Sequence, residues 1–197
     1  MVKLLSTEQM AEFANSGCLF FDGLIDNETN KEFLNDIGHT DIENVDNMQK
    51  YFQNIKASSS IPRIPAGTPL KNAYPYKSPL EKIFKNEVVA GAINSLVGSE
   101  AVVDHQFLHL TFPTKYFKKT NQRQMSQVNH QDSTIDPRVT FDIQLFYFPT
   151  DVTKEMGGTR YHPGTHLRIV NEMGIAKYQN IRGQKNIVCK AGTIGIF

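Results

Sequence analysis

The chain changes from helical to strand-like patterning near residue 100. Before that point apolar residues recur at helical spacing, as in Met10, Phe13 and Ala14. Residues 101–112 are instead rich in β-branched and aromatic side chains, and Pro113 closes the run. Because helices come first and strands follow, the order predicts an α+β chain in which helices pack on a β-sandwich or small barrel.

The first forty residues predict a helix, a strand and a second helix. Ser6 and Gln9 have capping-box spacing, so a first helix should begin there and end at Gly17. Residues 18–21 form a short apolar strand, and Asp26 can cap the second helix. The apolar face of that helix comprises Phe33, Leu34 and Ile37.

Residues 39–76 contain four prolines and little periodicity, which predicts a long irregular segment. Segments of this length in compact domains are usually functional. Ser78 and Pro79 then provide an N-cap and a favourable first helical residue, and apolar positions recur through Val97. One or two helices are therefore expected there.

The second half of the chain predicts further strands. They lie at 139–148, 158–162, 187–190 and 193–197. Ala191 and Gly192 separate the last two, which should form a strand pair or one bent strand.

Composition bounds the class of protein. With 197 residues, 40% of them hydrophobic, the chain can bury the core of one domain spanning 1–197. A net charge of +1 provides no general field for nucleic acid or a membrane surface. The N-terminal apolar stretch is too short for a signal peptide, and Cys18 and Cys189 suggest neither a disulfide framework nor a zinc finger. We therefore expect a cytoplasmic protein.

His130 and Asp132 are candidate metal ligands. Residues two apart in an extended segment project to the same side, so an imidazole nitrogen and a carboxylate oxygen can meet at one point. Iron(II) oxygenases combine two histidines with one carboxylate, which leaves positions open for a cosubstrate and dioxygen. The triplet alone is not specific, since a solvated loop histidine has the same pattern.

A longer pattern extends this motif. His130-Gln131-Asp132 is followed by a strand through Phe146 and then by Gly-Gly-Thr-Arg-Tyr-His-Pro-Gly-Thr-His-Leu at 157–167. This arrangement resembles the phytanoyl-CoA dioxygenase family of iron(II)- and 2-oxoglutarate-dependent oxygenases. Gly-Cys-Leu-Phe-Phe-Asp-Gly-Leu-Ile at 17–25 is similar to the helix-then-strand entry of that family. The resemblance covers nearly the whole chain.

The resemblance implies a fold and a site. The fold would be a double-stranded β-helix, a cupin-like jelly-roll buttressed by N-terminal helices. His130 and Asp132 would be catalytic iron ligands, and Gln131, Leu108 and Phe146 would belong to the cofactor-binding set. Leu108 and Phe146 also fit a plain core role, and both interpretations stay open.

The family's distal histidine ligand and the arginine that binds 2-oxoglutarate have no counterpart in these 197 residues. Residues 191–197 resemble the strand that leads to that histidine, which implies a chain lacking its last strands and inactive alone. His162 and His166 match positions typical of a hydrogen-bonded scaffold. His105 and His109 would share one strand face, in the core or on a substrate wall.

The implied activity is hydroxylation of a small-molecule substrate, with 2-oxoglutarate and dioxygen consumed and succinate and carbon dioxide released. Asp132 favours hydroxylation, since halogenating relatives have a small residue there. Residues 39–76 and 115–123 would form substrate-determining lids. Alternatives are a non-catalytic jelly-roll with a vestigial metal pair and, ranked lower, a cupin-like metal isomerase or sugar-binding protein. The substrate and the oligomeric state stay open.

Overall fold

The computed structural model describes residues 2–39, 61–111, 127–131, 142–178 and 180–197. The α-helices in these ranges are α1 (Thr7–Ser16), α2 (Asn27–Asp36), α3 (Pro79–Lys85), α4 (Glu87–Leu96) and α5 (Glu172–Ile175). The strands are β1 (Leu19–Phe21), β2 (Thr68–Pro69), β3 (Val102–Val103), β4 (Leu145–Phe148), β5 (Arg160–Tyr161), β6 (Lys185–Asn186) and β7 (Thr193–Ile196). Short 3-10 helices span Leu70–Asn72 and Lys154–Met156. Helices and antiparallel strands coexist, so the α+β expectation is confirmed.

The ends of α1 and α2 follow the predicted capping chemistry. The Ser6 hydroxyl accepts from the Gln9 amide, and the Gln9 side chain accepts from the Ser6 amide. Gly17 ends α1 with a φ of 73°, a left-handed conformation that favours glycine. Asp26 caps α2 by accepting from the backbone N–H of Thr29. Local residue chemistry therefore sets these boundaries.

The predicted helical region before residue 97 contains two helices. The Ser78 hydroxyl accepts from the Glu81 amide and begins α3. Asn86 interrupts the run, because its side-chain oxygen accepts from the amides of Val88 and Val89 and begins α4. One asparagine therefore divides the region.

The central sheet has the strand order β1-β7-β4, with both pairings antiparallel. Separate two-stranded pairings join β2 to β3 and β5 to β6. The expected pairing of 187–190 with 193–197 is wrong. Cys189 instead forms an isolated bridge with Val152, while β7 lies between the first strand and a middle strand of the chain.

Several predicted segments differ from the structure in extent. Of the strand predicted at 101–112, only β3 is formed. Residues 104–111 pair with no strand among the described residues. The 61–76 part of the irregular segment contains β2 and a 3-10 turn. The 158–162 strand is reduced to β5, and 139–148 is represented by β4. Residues 40–60, 112–126 and 132–141 lie outside the described residues. The predicted lid at 115–123 and parts of the segments predicted at 39–76 and 139–148 fall in these ranges.

One face of the central sheet packs on the helices. Its side chains are Leu19, Phe21, Leu145, Tyr147, Ile194 and Ile196. Helical residues join them in one apolar cluster, namely Phe13, Ile83, Val89, Ala92 and Ile93. The Tyr147 hydroxyl donates to the Asn30 side chain of α2 at 2.5 Å, which satisfies a polar group at this interface.

The opposite face of the sheet is aromatic. We define the aromatic face as Phe20, Phe146, Phe148, Tyr161 and Phe197. The Phe197 ring centroid lies 5.1–5.4 Å from the centroids of Phe20, Phe146 and Tyr161. A β-carbon at Gly195 would lie 3.1 Å from ring atoms of Phe20 and Phe197, so the glycine makes room for these rings. The sheet therefore has one side that packs on the helices and an aromatic side away from them.

In the described part of the chain, no helix has the length and apolar character needed to cross a membrane.

Candidate metal centre

His130 lies in the described segment 127–131, where its side chain is exposed. Its Nδ1 is 2.8 Å from the carbonyl oxygen of Val128. A carbonyl only accepts hydrogen bonds, so Nδ1 is the donor, and the neutral ring then carries its lone pair on Nε2. Metal-binding histidines commonly donate one ring N–H to a backbone carbonyl in this way. The tautomer therefore fits an Nε2 ligand to iron(II).

Asp132, the other predicted ligand, lies outside the described residues. Within the described ranges there is no group of three or more His, Cys, Asp or Glu side chains able to hold a metal ion. The fit to iron(II) therefore rests on the donor chemistry of His130.

The residues on either side of His130 anchor its segment to the chain after residue 167. The Gln131 side chain donates from Nε2 to the Arg168 carbonyl at 2.7 Å. Its Oε1 accepts from the Val170 amide at 3.1 Å. The Asn129 side chain donates to the Tyr178 carbonyl. Asn129 and Gln131 thus bind one neighbouring segment.

The Pro-Gly-Thr-His turn at 163–166 is attached to the end of α1. The Gly164 amide donates to the Ser16 carbonyl at 2.8 Å. The His166 ring lies against Gly17, where a β-carbon would overlap it. The glycine therefore both ends the helix and admits the imidazole.

The predicted scaffold role of His162 and His166 needs one correction. Nε2 of His162 and Nδ1 of His166 are buried, and neither has a hydrogen-bond partner within the described part of the protein. The His166 ring lies 6.0 Å from the Phe13 ring, centroid to centroid. Ring packing, rather than hydrogen bonding at those two nitrogens, places this turn on the helix.

The segment 104–111 has two faces. His105, Phe107 and His109 are exposed, with ring centroids 5.4 Å and 4.6 Å apart in succession. The shared face predicted for the two histidines is confirmed, and their exposure makes the core alternative wrong. Asp104 bonds to Nδ1 of His105 at 2.7 Å.

Alternate residues of the same segment are half-buried, among them Gln106 and Leu108. Gln106 donates to the Pro62 carbonyl and accepts from the Tyr74 hydroxyl at 3.1 Å. Burial raises the pKa of Tyr74 to about 12, so this phenol stays protonated and able to donate at neutral pH. The Tyr74 ring stacks on Phe84 with centroids 4.8 Å apart, which connects this face to α3.

The predicted site residues lie in three places. His130 and Gln131 share 127–131, Leu108 lies in 104–111, and Phe146 lies on β4 within the aromatic face. The hydrogen bonds and ring contacts described for these residues do not link the three places.

The phytanoyl-CoA dioxygenase (PhyH) family model matches residues 13–197, from within α1 through the last strand. The chain belongs to the phytanoyl-CoA dioxygenase family. Members of this family are usually 2-oxoglutarate-dependent dioxygenases that use iron(II), which places the chain among oxidoreductases at the family level. None of the curated proteins or solved structures compared with the chain matches it.

Sequence patterns did not predict two features of this chain. One is the attachment of Asn129 and Gln131 to the backbone after residue 167. Alternation along the chain indicates it, because a metal ligand at 130 predicts a different direction for its two neighbours. The other is the contribution of Phe20, Tyr161 and Phe197 to the face that contains Phe146. Period-2 alternation marks each strand, but the strand order that unites these rings depends on long-range pairing.

Proposed function

We propose that this protein is an iron(II)- and 2-oxoglutarate-dependent dioxygenase that hydroxylates a small molecule and releases succinate and carbon dioxide. The observation that carries the proposal is the family match across 13–197, which includes the His130-Gln131-Asp132 motif. The tautomer of His130 supports it, because an imidazole that donates through Nδ1 presents Nε2 as a metal ligand.

The proposed fold is one jelly-roll domain, a double-stranded β-helix spanning 1–197. The antiparallel order β1-β7-β4 supports it, because strands distant in sequence are neighbours, as in Greek-key folds. Helices cover the side of the central sheet opposite the aromatic face. The aromatic face would then line the interior of the jelly-roll.

The proposed division of labour follows from side-chain chemistry. His130 binds the metal through Nε2, and Asp132 binds it through a carboxylate oxygen. When bound, iron(II) and 2-oxoglutarate supply the activation of dioxygen. Gln131, Leu108 and Phe146 line the cosubstrate site. The apolar rings of the aromatic face exclude water and hold the substrate's C–H bond in place. A carboxylate at 132 favours hydroxylation over halogenation.

The decisive test is an anaerobic titration of the natural full-length protein with iron(II) in the presence of 2-oxoglutarate. We expect a weak visible charge-transfer band from the chelate, and succinate once air is admitted. His130→Ala should abolish both, because the metal loses the nitrogen ligand of the proposed His-x-Asp pair.

His109→Ala provides the matched control, since His109 is also an exposed histidine. Its charge-transfer band should equal that of the wild type. Wild-type protein with neither band nor succinate would contradict the proposal and leave the non-catalytic jelly-roll. Loss of the band in His109→Ala but not in His130→Ala would place the metal elsewhere.

A further inference from the structure

The side-chain amide of Gln131 binds the 168–170 backbone as a peptide group would. Its donor and acceptor reach the Arg168 carbonyl and the Val170 amide, at 2.7 Å and 3.1 Å. In a parallel ladder, one residue likewise bonds to a C=O and an N–H that lie two positions apart on the neighbouring strand. Both hydrogen-bonding ends of the amide are therefore engaged by backbone.

Asn129 provides a second attachment in the same direction. Its Nδ2 donates to the Tyr178 carbonyl, so the two residues beside His130 hold the segment at two points. Both attachments lead to 168–178, so the backbone on each side of His130 is fixed to the same neighbouring segment.

The 168–178 segment follows a turn that is itself held to a helix. The Gly164 amide donates to the Ser16 carbonyl at 2.8 Å, and the His166 ring packs against Gly17. A continuous series of contacts therefore runs from the end of α1 through this turn to Gln131. Side chains fixed on rigid elements hold metal ligands more accurately than side chains on unattached loops.

We propose that Gln131, assisted by Asn129, is a positioning residue that holds His130 in place to bind the metal. The inference rests on the proposed function, because it needs a metal bound by His130. The contribution of Gln131 to cosubstrate binding would then be indirect, acting through the ligand geometry.

The test uses Gln131→Met in the natural full-length protein, because methionine has a similar volume but cannot replace either hydrogen bond. In metal-free protein, the Val170 amide should exchange with solvent faster, since its acceptor is gone. Iron(II) affinity under anaerobic conditions should fall about tenfold, as for other groups that orient metal ligands. The 2-oxoglutarate affinity at saturating iron(II) should change less than about twofold, since that measurement starts from a formed centre.

Two further variants complete the design. Gln127→Ala, at an exposed glutamine of the same segment, should leave Val170 exchange and iron(II) affinity at wild-type values. Asn129→Ala removes the second attachment and should also weaken iron(II) binding, which keeps the inference testable should Gln131→Met fail to fold.

The outcomes separate this inference from the proposed function. Faster Val170 exchange with wild-type iron(II) affinity would make the anchor purely structural and overturn the inference alone. Lost 2-oxoglutarate affinity with retained iron(II) affinity would overturn it in favour of a direct cosubstrate contact. Wild-type protein that binds no iron(II) would overturn the proposed function together with the inference.

Discussion

Asp26 shows how one side chain sets the start of a helix in this protein. Its carboxylate accepts from the backbone N–H of Thr29 at 2.8 Å and from the Thr29 hydroxyl at 2.9 Å. These hydrogen bonds, that of the backbone first, lower the pKa of Asp26 below its usual value. The charged form therefore stabilises the start of α2.

Asp26→Ala should lower the free energy of unfolding by about 1 kcal/mol near pH 7, the usual cost of losing an N-cap. Because the folded-state pKa is lowered, the charged cap contributes fully above the ordinary value of 3.8 and its contribution is lost as the pH falls through the folded-state pKa. The difference between the variant and the wild type should shrink in acid. Urea unfolding at several pH values measures it.

Asp26→Asn is the matched control, because asparagine keeps the capping oxygen and does not titrate. It should retain most of the stability at neutral pH while losing the acid dependence that Asp26 contributes. Equal losses in both variants near pH 7 would show that charge, rather than the capping hydrogen bond, carries the effect.

At the scale of elements, the N-terminal segment lies along α4. The Lys3 amide donates to the Glu87 carbonyl at 3.1 Å, and the Leu5 amide donates to the Ser95 hydroxyl at 3.0 Å. Gly91 lies between those two points, and a β-carbon there would overlap the Lys3 carbonyl oxygen. The helix therefore carries a glycine where propensity would favour alanine.

Gly91→Ala should lower the free energy of unfolding by about 1–3 kcal/mol, because the new β-carbon would overlap the Lys3 backbone, which has little room to move away. In a variant lacking residues 1–4 the overlap is gone, and the same substitution should raise the free energy of unfolding by about 0.5–1 kcal/mol. Thermal and urea unfolding of the four proteins give both differences. A change in unfolding free energy of the same sign with and without residues 1–4 would contradict the packing of Lys3 against Gly91.

At the scale of the whole molecule, the two faces of the central sheet have different expected roles. Ile194 is fully buried between sheet and helices, whereas Phe146 is half-buried in the aromatic face. Gly195 of β7 is the register partner of Phe146, so both faces share the same strands.

Ile194→Ala should lower the free energy of unfolding by about 2–5 kcal/mol, since it leaves a cavity in the helix-facing core. Phe146→Leu should cost less stability and, under the proposed function, should weaken 2-oxoglutarate binding at saturating iron(II). Calorimetry of unfolding and an anaerobic titration give the two quantities. A Phe146→Leu protein with wild-type cosubstrate affinity would assign Phe146 to the core alone.

Local chemistry explains why so much of the helical half was predictable. The residues that begin these helices act within one helical turn of their own position, namely Ser6, Asp26, Ser78 and Pro79. The neighbouring sequence alone therefore predicts these helix starts. The His130-Gln131-Asp132 motif is equally local, and with the later Gly-rich strand it sufficed to indicate the family that matches 13–197.

Tertiary structure decided which distant segments meet. The last strand, β7, pairs with β1 and β4 rather than with its sequence neighbour, and all four of its residues are buried in this central position. The attachment of Gln131 to Arg168 and Val170 likewise joins backbone nearly forty residues away. Such contacts depend on side-chain packing across the whole chain, which residue types and spacing along the sequence do not specify.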